Sequence, residues 1–352
     1  MFADYGTQDY KQHLNMSQSA YDVVQNDMRT FTDGENFSGF INHVISAYAD
    51  IADASISSAL KRQEEKYRTQ FSKVPNDKTK EKMISTLLSS YEETLIKKAF
   101  SYQKGVYTKF RLNKQNFDMI FENNCREEDY YERPGQYIKA IIEEYAEKPQ
   151  YQRESIYFEK SITLIQSCIE SGTLLVVKTK KGWSYEVRPY GIMTDEGSLY
   201  HYLVGYTRSV NSANNEEKIA SFRISQLISV TQRPKSYRSG RVTSNEREQI
   251  IKKLQVEGVQ FLLGEQTQIK VRLTDSGRKM YASQLHLRPI RIRTDDDCDN
   301  IYCFNCTETQ AKFYFFKFGK DVEILSPNSL RETFIKQYRD ALNCYCENKD
   351  IS

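Results

Sequence analysis

Two stretches of this chain, about a hundred residues apart, repeat one another, and this limits the first 150 residues more than any other feature. Phe40, Ile41, Val44, Ile45, Tyr48 and Ala49 face Tyr137, Ile138, Ile141, Ile142, Tyr145 and Ala146 at a constant shift of 97 positions. Upstream, Leu14-Asn15 answers Leu112-Asn113, and Tyr21-Asp22 answers Phe117-Asp118. In the second copy Val106, Thr108, Phe110 and Leu112 alternate with Tyr107, Lys109, Arg111 and Asn113, which predicts a strand with one buried face. Phe117, Ile120 and Phe121 follow at helical spacing, and Pro134 opens a second helix, where its missing N–H costs nothing. The first copy predicts a weaker strand at Tyr10–Asn15 and two helices parted by Asp33-Gly34, with Ser38 as N-cap. A strand and two helices are too small to bury a core alone. The copies are therefore expected to pair, two strands forming an antiparallel ribbon over four helices.

This pattern resembles the ribbon-helix-helix fold, known mostly from dimeric DNA-binding repressors. The resemblance implies an intramolecular pseudo-dimer in which Lys11 and His13 on one strand, and Lys109 and Arg111 on the other, read base edges of duplex DNA. On the residues alone a second reading stays open, that these are simply the exposed positions of a pairing ribbon. The unequal triplets Lys-Gln-His and Lys-Phe-Arg argue against a palindromic DNA site. Between the copies, Ile84, Leu87, Leu88, Tyr91 and Leu95 give helical spacing with Asn76 or Asp77 as cap, and Lys61 to Lys73 forms a charged helix face. Both are read as packing scaffold.

The chain carries none of the common signatures of catalysis. Its four histidines, His13, His43, His201 and His286, form no HExxH or HxH pattern, and no Walker loop, GxSxG elbow or GxGxxG turn is present. Cys303 with Cys306 and Cys344 with Cys346 are close pairs, but they fall on strand and helix patterns and read as buried free thiols rather than zinc ligands. The expectation is a non-enzymatic protein with no catalytic residue, metal or cofactor. Seven scattered cysteines suggest a reducing compartment. The start Met1-Phe2-Ala3-Asp4-Tyr5 lacks a signal-peptide pattern, and no apolar run is long enough to span a bilayer. A cytoplasmic protein with no membrane partner is expected. Net charge is only +3, but it is unevenly spread: residues 172–241 carry 11 Lys/Arg against 5 Asp/Glu, residues 237–293 carry 12 against 5, and residues 294–352 carry 7 against 11. Two readings remain open, a polyanion-facing surface and a solvated surface of mixed sign.

After Pro149 a helix from about Glu154 to Ser171 is expected. At least five short strands follow, pointing to a small closed or nearly closed barrel. Val187-Arg188-Pro189-Tyr190-Gly191-Ile192, then Tyr200-His201-Tyr202-Leu203-Val204-Gly205-Tyr206, then Ser221-Phe222-Arg223-Ile224, resemble a WYL domain over about residues 155–232. The resemblance implies an Sm-like β-barrel with a basic groove for nucleotide or nucleic-acid ligands. In that groove Tyr190, His201 and Tyr202 would stack on bases, and Arg188, Arg208 and Arg223 would clamp phosphates. The family tryptophan is His201 here, and the family's second arginine falls on Gln226. Core packing stays open for the rings, Tyr202 above all, and a structural ion pair stays open for Arg223.

Pro234–Gly240 reads as a linker and Ser244–Val256 as an amphipathic helix. Leu285–Arg293 is read as β-rich, bearing Arg288, Arg291 and Arg293, and Phe313–Gly319 as an aromatic strand before a helix at Ser329–Tyr345. Phe315–Gly319, Val322–Pro327 and Leu330-Arg331 resemble the extension that follows WYL domains, in relatives a ferredoxin-like unit used for dimerisation. The three arginines could border a nucleic-acid channel or merely protect a strand edge. The expected organisation is thus a multi-domain α+β chain: a tandem ribbon-helix-helix-like region at 1–150, a WYL barrel at 151–235 and a dimerising extension at 236–352. A WYL domain behind such a front resembles the accessory WYL proteins of type VI-D CRISPR systems. That implies a homodimer that binds single-stranded RNA and enhances an RNA-guided, RNA-cleaving effector nuclease. The second reading is a ligand-sensing transcription regulator on duplex DNA.

Overall fold

The computed structural model describes residues 11–75, 77–100, 105–122, 130–131, 133–194, 200–210, 216–234, 239–262, 266–292 and 300–347. The chain divides into two compact units, residues 1–160 and 161–352, and mixes helices with three sheets among the described residues.

In the first unit β1 (Lys11–Met16) pairs antiparallel with β2 (Val106–Arg111), Lys11 opposite Arg111 and Met16 opposite Val106. The period-two pattern fixes the two faces. Leu14, Met16, Phe110 and, just past the strand, Leu112 are buried, while Lys11, His13, Tyr107, Lys109 and Arg111 are exposed. Helices α1 (Gln18–Phe31) and α2 (Phe37–Tyr48) follow β1; a single turn, α5 (Lys114–Phe117), a π-helical turn at Asp118–Glu122 and α6 (Pro134–Glu147) follow β2. The repeated apolar positions of α2 and α6 are buried in one core shared by both copies, except Ala146, which is half-buried against it. The insertion forms α3 (Ile56–Gln70) and α4 (Asp77–Phe100), which pack on each other and are tied by Arg68 of α3 to Glu81 of α4, with Glu64 of α3 on the same guanidinium. The expected Asn76 cap lies outside the described residues, as does Tyr10.

Polar ties cross between the copies. Asn42 of α2 donates from Nδ2 to the Arg111 carbonyl (2.7 Å) and accepts the Asn113 amide (2.8 Å), while Asn116 donates back to the Asn42 carbonyl (2.8 Å). At the other end Glu143 of α6 accepts the Ser17 amide and its hydroxyl (2.6 Å). Glu143 stands at the repeat position of Ser46, whose hydroxyl donates to Asn116 (2.8 Å). Each copy's second helix thus holds the strand end of the other.

Two expectations for this region are corrected. The N-cap of α2 is Asn36, which accepts the Gly39 amide at 2.8 Å; Ser38 lies inside the helix and accepts the Arg111 amide instead. The helix expected from Glu154 to Ser171 is broken at Phe158 into α7 (Gln150–Tyr157) and α8 (Glu159–Ser171). The reason lies in two adjacent rings. Tyr157 stacks on Phe40 and His43, and Phe158 packs edge-on to Phe31, whereas a straight helix turns neighbouring side chains about 100° apart.

The second unit has a five-stranded antiparallel sheet in the order β6-β5-β4-β3-β7, made of β3 (Leu175–Thr179), β4 (Ser184–Thr194), β5 (His201–Ser209), β6 (Lys218–Arg223) and β7 (Leu227–Gln232). Of the expected closed or nearly closed barrel, the closed form is not seen among the described residues: β6 and β7 are the two edges, with no ladder between them. Tyr202, Val204 and Tyr206, on one face of β5, are covered by Ile250 of α9 (Ser244–Glu257) and by Val259 and Leu262 after it, so a helix closes this face. Pro189 cannot donate to the ladder, and the register slips between Pro189 and Gly191. Opposite it, Gly205 is obligatory: a Cβ there would stand 2.2 Å from the Arg188 carbonyl oxygen.

The chain then runs β8 (Gln266–Leu273), α10 (Asp275–Ser283), β9 (Arg291–Ile292), β10 (Ile301–Thr307), α11 (Glu308–Phe315), β11 (Val322–Ser326) and α12 (Asn328–Glu347), with sheet order β11-β8-β10-β9. The expected strand at Phe313–Gly319 is instead the end of α11 and a 3₁₀ segment. Ala311, Tyr314, Phe315 and Phe318 are the buried apolar residues, spaced i, i+3, i+4, i+7, a helical stripe that the density of aromatic residues disguised. Among the described residues of Leu285–Arg293, only Arg291–Ile292 is strand. No described helix is long and apolar enough to cross a membrane.

Replacing Asn42 by alanine strands the Arg111 carbonyl and the Asn113 amide, both part-buried. At about 1–3 kcal/mol for each orphaned buried group, the first unit is expected to melt several degrees lower, read by circular dichroism, while Ser19→Ala on the surface leaves the midpoint unchanged.

Candidate nucleic-acid interface

The ribbon brings Lys11, His13, Lys109 and Arg111 together. Register places Lys11 beside Arg111 and His13 beside Lys109 on one exposed face. Tyr107 joins them: its ring stacks on His13 with centroids 5.4 Å apart, and its hydroxyl shares a hydrogen bond with His13 Nδ1. The alternation that marked the lysine and arginine also marked Tyr107.

In the sheet of the second unit the arginines divide by their partners. Arg188 on β4 is largely buried and doubly neutralised. Its guanidinium meets Glu246 of α9 at 2.5 Å and Glu217 at 2.9 Å, donates to the Arg241 carbonyl at 3.1 Å, and lies over the Tyr206 ring at 4.9 Å. Arg208 pairs with buried Glu186 at 2.5 Å, and Arg233 reaches the same carboxylate at 3.2 Å. Arg223 has no carboxylate partner among the described residues. It donates to the Ser225 hydroxyl at 2.8 Å, and its guanidinium sits 3.0 Å from the Tyr200 ring centroid. Tyr202, opposite Arg223 in register, is buried in the core under α9; Tyr190 packs against that core, and His201 is half-buried at the start of β5.

Farther along, Arg288 lies over Tyr281 at 5.4 Å and Arg291 over Tyr302 at 4.1 Å, with the two tyrosine rings 6.1 Å apart. Both arginines are exposed. Arg293 lies outside the described residues. Of the close cysteine pairs, Cys303 and Cys306 are buried, and burial pushes the Cys306 thiol up to about 12; Cys344 and Cys346 are exposed.

One feature escaped the reading of the sequence. Arg241 and Arg247 line a groove of about 780 Å³ with Pro189, Thr243, Ser244 and Glu170. Its signal was the capping box Thr243-Ser244-Asn245-Glu246 between the two arginines, in which Thr243 Oγ1 accepts the Glu246 amide and Glu246 accepts the Thr243 amide at 2.8 Å. Arg188 and this capping contact together hold the Glu246 carboxyl down to about 2, with the Arg188 hydrogen bond the largest cause.

No protein-family model matches the chain, and no curated protein matches it. Among solved structures the chain is similar to one described as a CRISPR Cas-related protein, at 24% identity, with a TM-score of 0.71, over 99% of this chain and 97% of that one. The two therefore share a fold along their length. A much looser likeness, at 10% identity and a TM-score of 0.31 over 98% of this chain and 51% of the other, is to the proteasome accessory factor PafBC of Arthrobacter aurescens.

A carboxyl with a depressed pKa stabilises the fold fully above its ordinary value and loses that contribution as the pH falls through the folded one. Glu246→Gln is expected to lower the melting midpoint at pH 7. The gap from the unsubstituted chain should narrow from about pH 4.5 down to about pH 2, measured by thermal melts across that range.

Proposed function

We propose that this chain is a non-enzymatic accessory protein of a CRISPR system that binds single-stranded RNA and enhances an RNA-guided, RNA-cleaving effector of the type VI-D kind. In this reading residues 161–352 comprise a WYL-like sheet and a ferredoxin-like extension, the protein acts as a cytoplasmic homodimer, and neither metal nor cofactor takes part. The observation that carries the reading is the fold shared along the whole chain with a CRISPR Cas-related protein. The surface chemistry supports it. Arg223 on Tyr200 and Arg291 on Tyr302 are guanidinium–aromatic stacks, and such stacks suit unpaired bases and the phosphates between them. Arg188 and Arg208 are bound by internal carboxylates, so in this sheet the contact with the strand falls to Arg223.

Fluorescence anisotropy with single-stranded RNA, single-stranded DNA and duplex DNA tests it. RNA is expected to bind, more weakly as salt rises. Arg223→Glu should weaken it by about tenfold or more, as expected for loss of a charge-assisted contact. An RNA affinity indifferent to Arg223→Glu and Arg291→Glu would sink this reading.

A second reading is favoured by one observation, the ribbon face. A two-stranded ribbon fits the DNA major groove, and this one offers Lys11, His13, Lys109 and Arg111 on its exposed side. As a duplex-binding regulator the chain would lose sequence-specific DNA affinity in Arg111→Ala while RNA binding persists. Absence of any duplex affinity, by the same anisotropy assay, removes this reading.

A further inference from the structure

The groove of Arg241 and Arg247 has the build of an anion site. The linker that carries Arg241 is pinned at several points. The Gly240 amide donates to the Gly172 carbonyl at 2.9 Å, and the Arg241 amide donates to the Ser239 hydroxyl at 3.1 Å. The Arg241 carbonyl accepts from Arg188. Two glycines permit this approach. A Cβ on Gly240 would stand 2.4 Å from the Thr173 carbonyl carbon, and one on Gly172 would stand 3.2 Å from Arg241 Nε. Arg247, one turn into α9, donates weakly to the Val242 carbonyl at 3.5 Å, and its guanidinium lies 5.9 Å from the Tyr190 ring.

Charge assignment around the groove is selective. Arg188, directly behind it, receives two carboxylates. Arg241 and Arg247 have no carboxylate partner among the described residues, and Glu170 is the one acid among the residues that line the groove. Thr243 and Glu246 are engaged with each other and with Arg188, so neither answers these two cations. The volume, about 780 Å³, lies within the range of small-ligand sites, roughly 300–1,000 Å³.

We propose that this groove binds a phosphate group of a nucleotide, held by the side chains of Arg241 and Arg247. Guanidinium forks match phosphate oxygens, and two of them fix one phosphate. A phosphodiester of bound RNA and the phosphate of a free nucleotide supply the same chemistry; only the first source rests on the RNA-binding reading above.

The test uses the full chain and the double variant Arg241→Gln/Arg247→Gln. Both side chains are exposed and the glycine-pinned backbone is untouched, so its melting midpoint should match the parent. Calorimetry with inorganic phosphate and ADP, and anisotropy with a 5′-hydroxyl single-stranded RNA, read the two sources. If the source is RNA, the double variant weakens RNA by about tenfold or more. The slope of log affinity against log salt then falls by about 0.7, the loss of one single-strand phosphate contact. If the source is a free nucleotide, ADP binds the parent and is lost in the variant while RNA affinity stays unchanged. ADP binding lost in the variant, in a chain that binds no RNA at all, supports the groove and ends the RNA-binding reading. Unchanged affinity of the variant for every ligand that the parent binds, or no binding of any of them to the parent, overturns the proposal, and Arg223→Glu separately reports on the RNA reading.

Discussion

Neither strand–helix–helix copy of the first unit can close over its own apolar face, and the architecture of residues 11–160 follows from that. β1 and β2 each have one dry side. Pairing them doubles the sheet, and α2 and α6 then cover it together. Apolar burial supplies the drive but no register. Register comes from the crossed polar ties, Asn42 to the end of β2 and Glu143 to the end of β1, which fail if either strand slips by one residue. The exposed ribbon face is therefore fixed by contacts made on the hidden side.

Much of this was legible in the sequence because the repeat and the alternation are strong periodic signals. Most of the buried apolar set of α2 and α6 is the repeated set, and Pro134 opens its helix. What failed was local. Phe313–Gly319 was read by composition, aromatic and so strand, while its spacing was helical. The break at Phe158 depends on which rings reach the core, a tertiary fact with no local mark. The cap moved from Ser38 to Asn36 because both residues are competent caps, and the amide of Arg111, distant in sequence, claimed the serine.

The candidate site shows the limit more sharply. A sequence places arginines but not their counter-charges. Arg188 and Arg223 sit on neighbouring motifs, yet one meets two carboxylates and the other a tyrosine ring. Glu217 and Glu246, which make the difference, lie 29 and 58 residues from Arg188. The electropositive surface of the second unit is thus set by which cations the fold leaves without an acid.

Joining both halves of the ribbon in one chain has a further consequence. A pairing between separate molecules dissolves on dilution and repeats every side chain under its twofold axis. Covalent fusion removes both restrictions. The two halves stay associated at any concentration, and each is free to diverge, so a tyrosine–histidine stack can stand at one end and a lysine beside an arginine at the other. Whatever meets this surface encounters a polar object with a head and a tail, and can be held in only one direction.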